Sequence, residues 1–338
     1  MPNVCEIFRH AAAKTVLAPM AGYTDFAFRK VCHDYGVGLT VTEMISAKAL
    51  VMNNAATFTM LHRDETDKPC FCQIFGHEPQ VMADSVRFAE VAAYEGVDIN
   101  MGCPVKKIVS NGDGSALMEN FDLAAKCITA VRLALPADKP LSVKFRLGIT
   151  DDTLAVDFAK MCRDSGTDFV TVHFRTRKQM YAGNADFRLL DDLVATGVPV
   201  VANGDVRCKA DYDKLVDRGA FAVAVGRGAL GHPQLFADIA ELPYAFDVEK
   251  VIVEQTAMLS QLYPDRVVAN EMKKHISFYL KGMRGAKSTI VAVNACKCTV
   301  EMLNLVHNYF AGADLDTNAA LQNTSANLHK SATDDKTK

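Results

Sequence analysis

From the N-terminus to about residue 230 the chain repeats one unit: a short β-branched run, a few polar or glycine residues, then a longer stretch with helical spacing. Eight such runs occur, at 16–20, 39–45, 70–75, 97–101, 141–147, 169–174, 198–202 and 221–225, separated by amphipathic segments such as 80–95 and 122–135. Strands that alternate with helices lie parallel, because each helix carries the chain back across the sheet. In count and size the eight units match an α/β fold of the (β/α)8 TIM-barrel type. A doubly wound open sheet is the alternative. It would want a GxGxxG turn after its first strand, and Ala18-Pro-Met-Ala-Gly-Tyr-Thr24 is not one.

Beyond Pro243 the strand signal stops. Segments 248–263, 270–282 and 287–308 have helical spacing, with Pro264, Gly282 and Gly285 as breaks. We therefore expect a barrel domain over 1–243 and an all-helical domain over 244–311. Residues 312–338 turn polar and are expected to form a disordered tail. No run reaches the ~18 apolar residues of a membrane helix. The N-terminus has no basic start leading into an apolar stretch, so no secretory leader is expected. Ten cysteines without a CxxC pair suit reduced thiols in the cytoplasm. The CxC spacing of Cys70/Cys72 and Cys296/Cys298 is poor for zinc, and no metal is expected.

A barrel strand is buried on both faces, so polar side chains near its C-terminal end are costly unless chemistry occurs there. Ser142, Lys144 and Arg146 share one parity, Val143, Phe145 and Leu147 the other, which aims Lys144 into the barrel mouth. Thr171, His173 and Arg175 repeat the pattern and bring His173 to the same rim. Lys144 is either a fixed cation facing an electron-rich group or a lysine that snorkels to solvent. His173 is either part of that site or a core histidine. Gln73 suits the edge of a heterocycle, or else caps a loop. The last two strands are followed by Asn203-Gly204-Asp205 and Gly226-Arg227-Gly228, where barrels of this type commonly hold a phosphate on backbone N–H groups. Cys103 stands between Gly102 and Pro104 in a loop and has no core face to fill. An ordinary thiol, pKa about 8.5, keeps its proton at neutral pH and can donate it. Lys106 and Lys107, if close to the sulfur, would favour a nucleophilic thiolate instead.

Taken together, Ala18-Pro-Met-Ala-Gly-Tyr-Thr-Asp25, Ile99-Asn-Met-Gly-Cys-Pro-Val-Lys-Lys107, Val143-Lys-Phe-Arg-Leu-Gly148, Val172-His-Phe-Arg-Thr-Arg-Lys-Gln-Met-Tyr-Ala-Gly183, Asn203-Gly-Asp205 and Gly226-Arg-Gly228 resemble tRNA-dihydrouridine synthases. The bacterial B-type branch is the nearest, in order and in register over about 15–285. The resemblance implies an FMN-dependent barrel that reduces C5=C6 of uridine in tRNA, with NADPH recharging the flavin. By the same resemblance Pro19, Met20 and Ala21 lie against the isoalloxazine ring. Gln73 and Lys144 bond its pyrimidine edge, His173 sits by flavin and uracil, and Asn203, Gly204, Asp205, Gly226 and Arg227 hold the ribityl phosphate. Cys103 matches the general acid and Asn100 falls among the substrate-contacting residues. No obligate protein partner is implied. Phe174 stands where the family commonly has glycine, and the tail beyond Gly312 is unmatched.

Two other readings compete: a flavin barrel acting on a free pyrimidine, in the style of dihydroorotate dehydrogenases, and an RNA-binding protein whose barrel is a relic. The charge pattern bears on both. With 37 basic and 40 acidic side chains the net charge is −3, which offers a polyanion no general attraction. Yet 273–297 contains six Lys/Arg and no acid. Lys273, Lys274, Lys281, Arg284 and Lys287 on the helices, with Lys106, Lys107, Arg175, Arg177 and Lys178 on loops expected at the barrel mouth, form a candidate tRNA path.

Overall fold

The computed structural model describes residues 4–312. Its strands are β1 (Thr15–Leu17), β2 (Leu39–Val41), β3 (Ile45–Ser46), β4 (Cys70–Phe75), β5 (Gly96–Asn100), β6 (Leu141–Arg146), β7 (Phe169–His173), β8 (Val200–Asn203) and β9 (Ala222–Val225). All pair in parallel. β1 pairs with β9 and β2 with β4, so the sheet closes on itself into a (β/α)8 barrel. The run expected as one strand over 39–45 is split, and β2 and β3 pair with successive parts of β4. The interruption has a local cause: Gln73 N–H donates to Thr42 Oγ (3.0 Å), and Thr42 Oγ donates in turn to Glu43 O (2.8 Å). Glu43 is thereby turned toward the loop after β1, where its carboxylate accepts from Gly22 N–H.

The inward residues form two layers. Toward the N-terminal ends of the strands lie Val16, Leu39, Phe71, Phe169, Val201 and Ala222, all buried, with Phe8 of the N-terminal segment packed among them. Gly96 is needed here, since a Cβ would meet the Phe71 ring at 2.3 Å. Toward the C-terminal ends the inward residues become polar. The segment expected as one helix over 80–95 is two, Pro79–Ser85 and Ala89–Ala92; the chain between them brings Phe88 edge-on to Phe58, with ring centroids 5.5 Å apart.

A second compact unit begins at Phe246. Within the described residues it holds the helices Val248–Ser260, Asp265–Tyr279, Ala286–Ala295 and Thr299–Phe310. The single helix expected over 287–308 breaks at Cys296–Cys298, where Thr299 N–H finds its cap on Asp265 Oδ1 (3.0 Å). Apart from Gly312, the tail expected over 312–338 lies outside the described residues. Among the described residues no helix is long and apolar enough to cross a membrane, and no group of His, Cys, Asp or Glu could hold a metal. None of the ten cysteines, all described, is in a disulfide.

One buried ion pair ties the helix Phe26–Asp34 to the segment that leads into β4. Arg29, on the helix Phe26–Asp34, is 1% exposed and Asp67 0%. Arg29 donates to Asp67 (2.6 Å) and to the carbonyls of Thr24 (3.0 Å) and His62 (3.1 Å). Burial alone would raise the Asp67 carboxyl, but Arg29 and His33 hold it below its ordinary value. Its contribution is therefore present above the unfolded carboxyl pKa and fades as pH falls through the lower folded one. Arg29→Met or Asp67→Leu alone should cost the barrel about 3–5 kcal/mol, because each leaves a buried charge unpaired, while the double variant should recover much of the loss. The barrel's urea transition measures both; a double variant as unstable as the worse single one would exclude this account.

Candidate active site

The polar layer is set by register. Across the barrel Gln73 lies beside Asp98, Asp98 beside Ser142, and Asn100 beside Lys144. Lys144 in turn adjoins Thr171, Arg146 adjoins His173, and His173 adjoins Asn203. Asp98 is 2% exposed and accepts from Ser142 Oγ (2.5 Å) and Gln73 Nε2 (2.7 Å). Burial lifts its carboxyl to about 6, against the pull of Ser142, Gln73 and Lys144. Lys144 moves the other way: burial and then Arg146 lower its ammonium to about 8, with Asp98 opposing. At pH 7 it remains a cation. Burial, then Lys144, Arg146, Arg175 and Arg227, drive the His173 imidazolium well below its ordinary pKa, so this ring is neutral.

Cys103 follows β5, half-buried. Asn100 Oδ1 accepts from the N–H groups of Gly102 (3.1 Å) and Cys103 (2.9 Å), and the Cys103 carbonyl accepts from Ser115 Oγ (2.9 Å). Gly114, at φ +60°, closes the loop; a Cβ there would stand 3.0 Å from Cys103 Cβ. Burial raises the thiol above its ordinary value, and the cations that oppose this are Arg146 and Lys144. Lys106 and Lys107 are exposed on the helix Lys106–Val109 that follows. The thiol therefore keeps its proton at neutral pH.

Two buried arginines hold the loops of the mouth. Arg146 donates to Gly102 O (2.8 Å), Thr176 O (3.1 Å) and Met180 O (2.7 Å), tying the Cys103 loop to the loop after β7. Arg175, expected as an exposed tRNA contact, is instead 2% exposed. It pairs with Asp205 (2.7 Å) and donates to Gly183 O (2.7 Å), so its guanidinium is spent on loop structure and cannot reach a phosphate. Asp205, expected among the phosphate-holding residues, turns its carboxylate to Arg175, Ala185 N–H (2.7 Å) and Arg227 (3.4 Å). The carboxylate anchors Arg175 and Arg227, which leaves the backbone of 203–205 as the part of this loop suited to a phosphate. Asn100, expected at the substrate, has its amide engaged by the Cys103 loop and by Gln73, to whose Oε1 it donates (2.9 Å).

The two glycine loops meet. A Cβ on Gly228 would lie 2.3 Å from Val206 O, and one on Gly226 would touch Met20 Sδ at 3.5 Å. Asn203 donates to Ala224 O (2.8 Å), and the Arg227 side chain is 52% exposed beside them. Pro19 and Met20 are half-buried and Ala21 is exposed, on a turn fixed by Met20 N–H to Thr24 Oγ (3.0 Å). Phe174 is fully buried against Phe187 (4.6 Å between centroids), on the outward parity, so it does not fill the mouth. Arg177 pairs with Glu119 (2.7 Å), while Lys178 is exposed. In the second unit Lys273 donates to Asn270 (3.3 Å), Lys274 pairs with Glu271, and Lys281, Arg284 and Lys287 are exposed.

Three residues of the site were absent from the sequence candidates: Asp98, Ser142 and Arg146. The parity that singled out Lys144, applied to Val97-Asp-Ile-Asn100, aims Asp98 into the barrel as well.

The family model described as Dihydrouridine synthase (Dus) matches residues 16–313. A "Probable tRNA-dihydrouridine synthase" of Rhizobium leguminosarum bv. phaseoli is 37% identical over 276 residues, 79% of this chain and 85% of that protein. The "tRNA-dihydrouridine synthase B" of Pseudomonas aeruginosa is 31% identical over 313 residues, 88% of this chain and 93% of that one. Among solved structures, histamine dehydrogenase from Rhizobium sp. 4-9 superposes with a TM-score of 0.54 at 11% identity, over 72% of this chain and 49% of that one, a likeness of fold alone. A family match from the first strand through the helical unit, together with relatives more than 30% identical over most of both chains, settles the family. The chain belongs to the dihydrouridine synthase family.

Proposed function

We propose that this chain reduces the C5=C6 bond of uridine in tRNA to 5,6-dihydrouridine in the cytoplasm, with FMN as cofactor and NADPH as reductant. The observation that carries the reading is the placement of the Cys103 thiol, on a loop pinned by Asn100 and Arg146, above a polar barrel layer that holds Lys144; burial favours the protonated thiol. The residues suit FMN. The glycine loops at 203–205 and 226–228 with Arg227 match a phosphate monoester, the turn at Pro19–Ala21 offers an apolar face, and Lys144 suits an electron-rich heterocycle edge.

When bound by these residues, reduced FMN would supply the hydride that adds to C6 of uracil. Cys103 does the complementary work. As charge gathers on C5 and O4 of the base, its S–H proton passes to C5, the C–H bond forms, and the resulting thiolate is reprotonated from solvent. Lys144 favours that charge, and neutral His173 can offer a hydrogen bond without adding a proton source. A stacked uridine cannot enter a barrel mouth, so the base must be flipped out, at a cost of a few kcal/mol. Lys106, Lys107 and Lys178 on the barrel and Lys281, Arg284 and Lys287 on the helical unit supply exposed cations for phosphates.

Cys103→Ala should retain FMN and lower dihydrouridine formation by about 10²–10⁴-fold; a rate equal to wild type would remove Cys103 from the chemistry. Alkylation of Cys103 by iodoacetamide should rise with pH and reach half its plateau above the ordinary thiol pKa. A midpoint below that value would make the group a thiolate nucleophile instead. For the tRNA path, replacing Lys281, Arg284 and Lys287 with alanine should reduce the slope of log Kd against log salt by about three. An unchanged slope would exclude these side chains from phosphate contact.

A further inference from the structure

We propose that Asp98 is a positioning residue: its carboxylate fixes the amide of Gln73 and, through Gln73 and Asn100, the loop that carries Cys103. The inference rests on Cys103 being the proton donor of the reaction proposed above.

The connection is continuous. Ser142 Oγ and Gln73 Nε2 donate to the two oxygens of Asp98. Gln73 Oε1 accepts from Asn100 Nδ2 (2.9 Å), and Asn100 Oδ1 accepts from the N–H groups of Gly102 and Cys103. An ionised carboxylate only accepts, so the group that faces it must donate. Nε2 of Gln73 is therefore held toward Asp98 and Oε1 toward Asn100, which commits Nδ2 of Asn100 to Gln73 and leaves its Oδ1 for the loop. Reversing any one amide would set donor against donor or acceptor against acceptor in a space where Gln73 is 1% and Asp98 2% exposed. The links of Asp98 to Gln73 and Ser142 are buried, so water cannot readily substitute for a missing partner there, while those of Asn100 to Gln73 and the loop are half-buried.

Cost argues the same way. The layer beneath is filled by Phe71, Phe169 and Val201. An apolar residue at 98 would meet no desolvation penalty, whereas a carboxylate there does. Removing Asp98 would leave Gln73 Nε2 and the Ser142 hydroxyl without their acceptor and free the Gln73 amide to turn.

The test reads loop order directly and needs no cofactor. In flavin-free protein the alkylation rate of Cys103 by iodoacetamide is followed by peptide mass spectrometry across pH, and the high-pH plateau, which reports access rather than ionisation, is compared among variants. Asp98→Ala and Gln73→Ala should each raise the plateau about tenfold, the loss of about one hydrogen bond's worth of order. The double variant should rise no further than the larger single effect, because both break one chain. Asp98→Asn keeps an acceptor for Gln73 and should stay within about twofold of wild type. A wild-type plateau in folded Asp98→Ala, or effects that multiply in the double variant, would overturn the proposal. Asp98→Val, which fills the same strand position, serves if the alanine variant does not melt cooperatively. FMN binding and dihydrouridine formation are measured on the same preparations. A wild-type protein that binds no FMN and leaves uridine intact sinks the functional reading while the alkylation rates still decide the role of Asp98. With activity present, Asp98→Ala should lower kcat and leave KM for tRNA within about twofold.

Discussion

A closed parallel barrel turns every second strand residue inward, and each inward group must either be apolar or find its partner inside. Here that constraint divides the interior. Phe71, Phe169, Val201 and Ala222 fill the N-terminal half, with Phe8 packed among them. The other half holds Gln73, Asp98, Ser142, Lys144, Thr171 and Asn203, side chains that a barrel interior tolerates only if they answer one another. Asp98 takes its partners from β4 and β6, and Lys144 receives its counter-charge from Asp98. The apolar layer supplies the low dielectric that makes these pairings strong, and the pairings make the polar layer tolerable.

The loops above are organised by guanidinium groups more than by apolar packing. Arg146 and Arg175 reach carbonyls along 102–183, and Asp205 secures Arg175. Buried arginine suits this task because its planar fork can bond several carbonyls at once and keeps its charge. The consequence is electrostatic as well as structural. Burial, with Lys144, Arg146, Arg175 and Arg227 acting in the same direction, keeps the His173 imidazole neutral.

The sequence carried the barrel because eight short β-branched runs alternate with helical segments, an order that a parallel α/β barrel satisfies in both count and size. Lys144, His173 and Cys103 stood out because each breaks the apolar pattern where a strand ends. Arg175 was misplaced because parity says that a side chain points inward or upward, but not whether a partner 30 positions later will engage it. The same limit applies to 39–45, where one hydroxyl, Thr42, replaces a ladder bond and splits the strand. Such side-chain-to-backbone exchanges leave no periodic trace. The helical unit was recognisable from spacing, but the break at Cys296–Cys298 depends on a cap from Asp265, 34 residues away.

The positive mouth also bears on why a thiol suits the proton-donor role proposed for Cys103. Nearby cations lower the pKa of every acid beside them. A carboxyl, starting near about 3.9, or an imidazolium, starting near about 6.5, would have lost its proton there at neutral pH, and at His173 burial and then the same cations favour the neutral ring. A thiol starts near about 8.5 and is raised further by burial. It can stand beside Arg146 and Lys144 and still hold a proton for a carbanion. In the proposed reaction Lys144 and Cys103 are therefore complementary: a cation placed to favour negative charge on the base would disarm any stronger acid, and the weak acid that survives it is sufficient for a basic carbon.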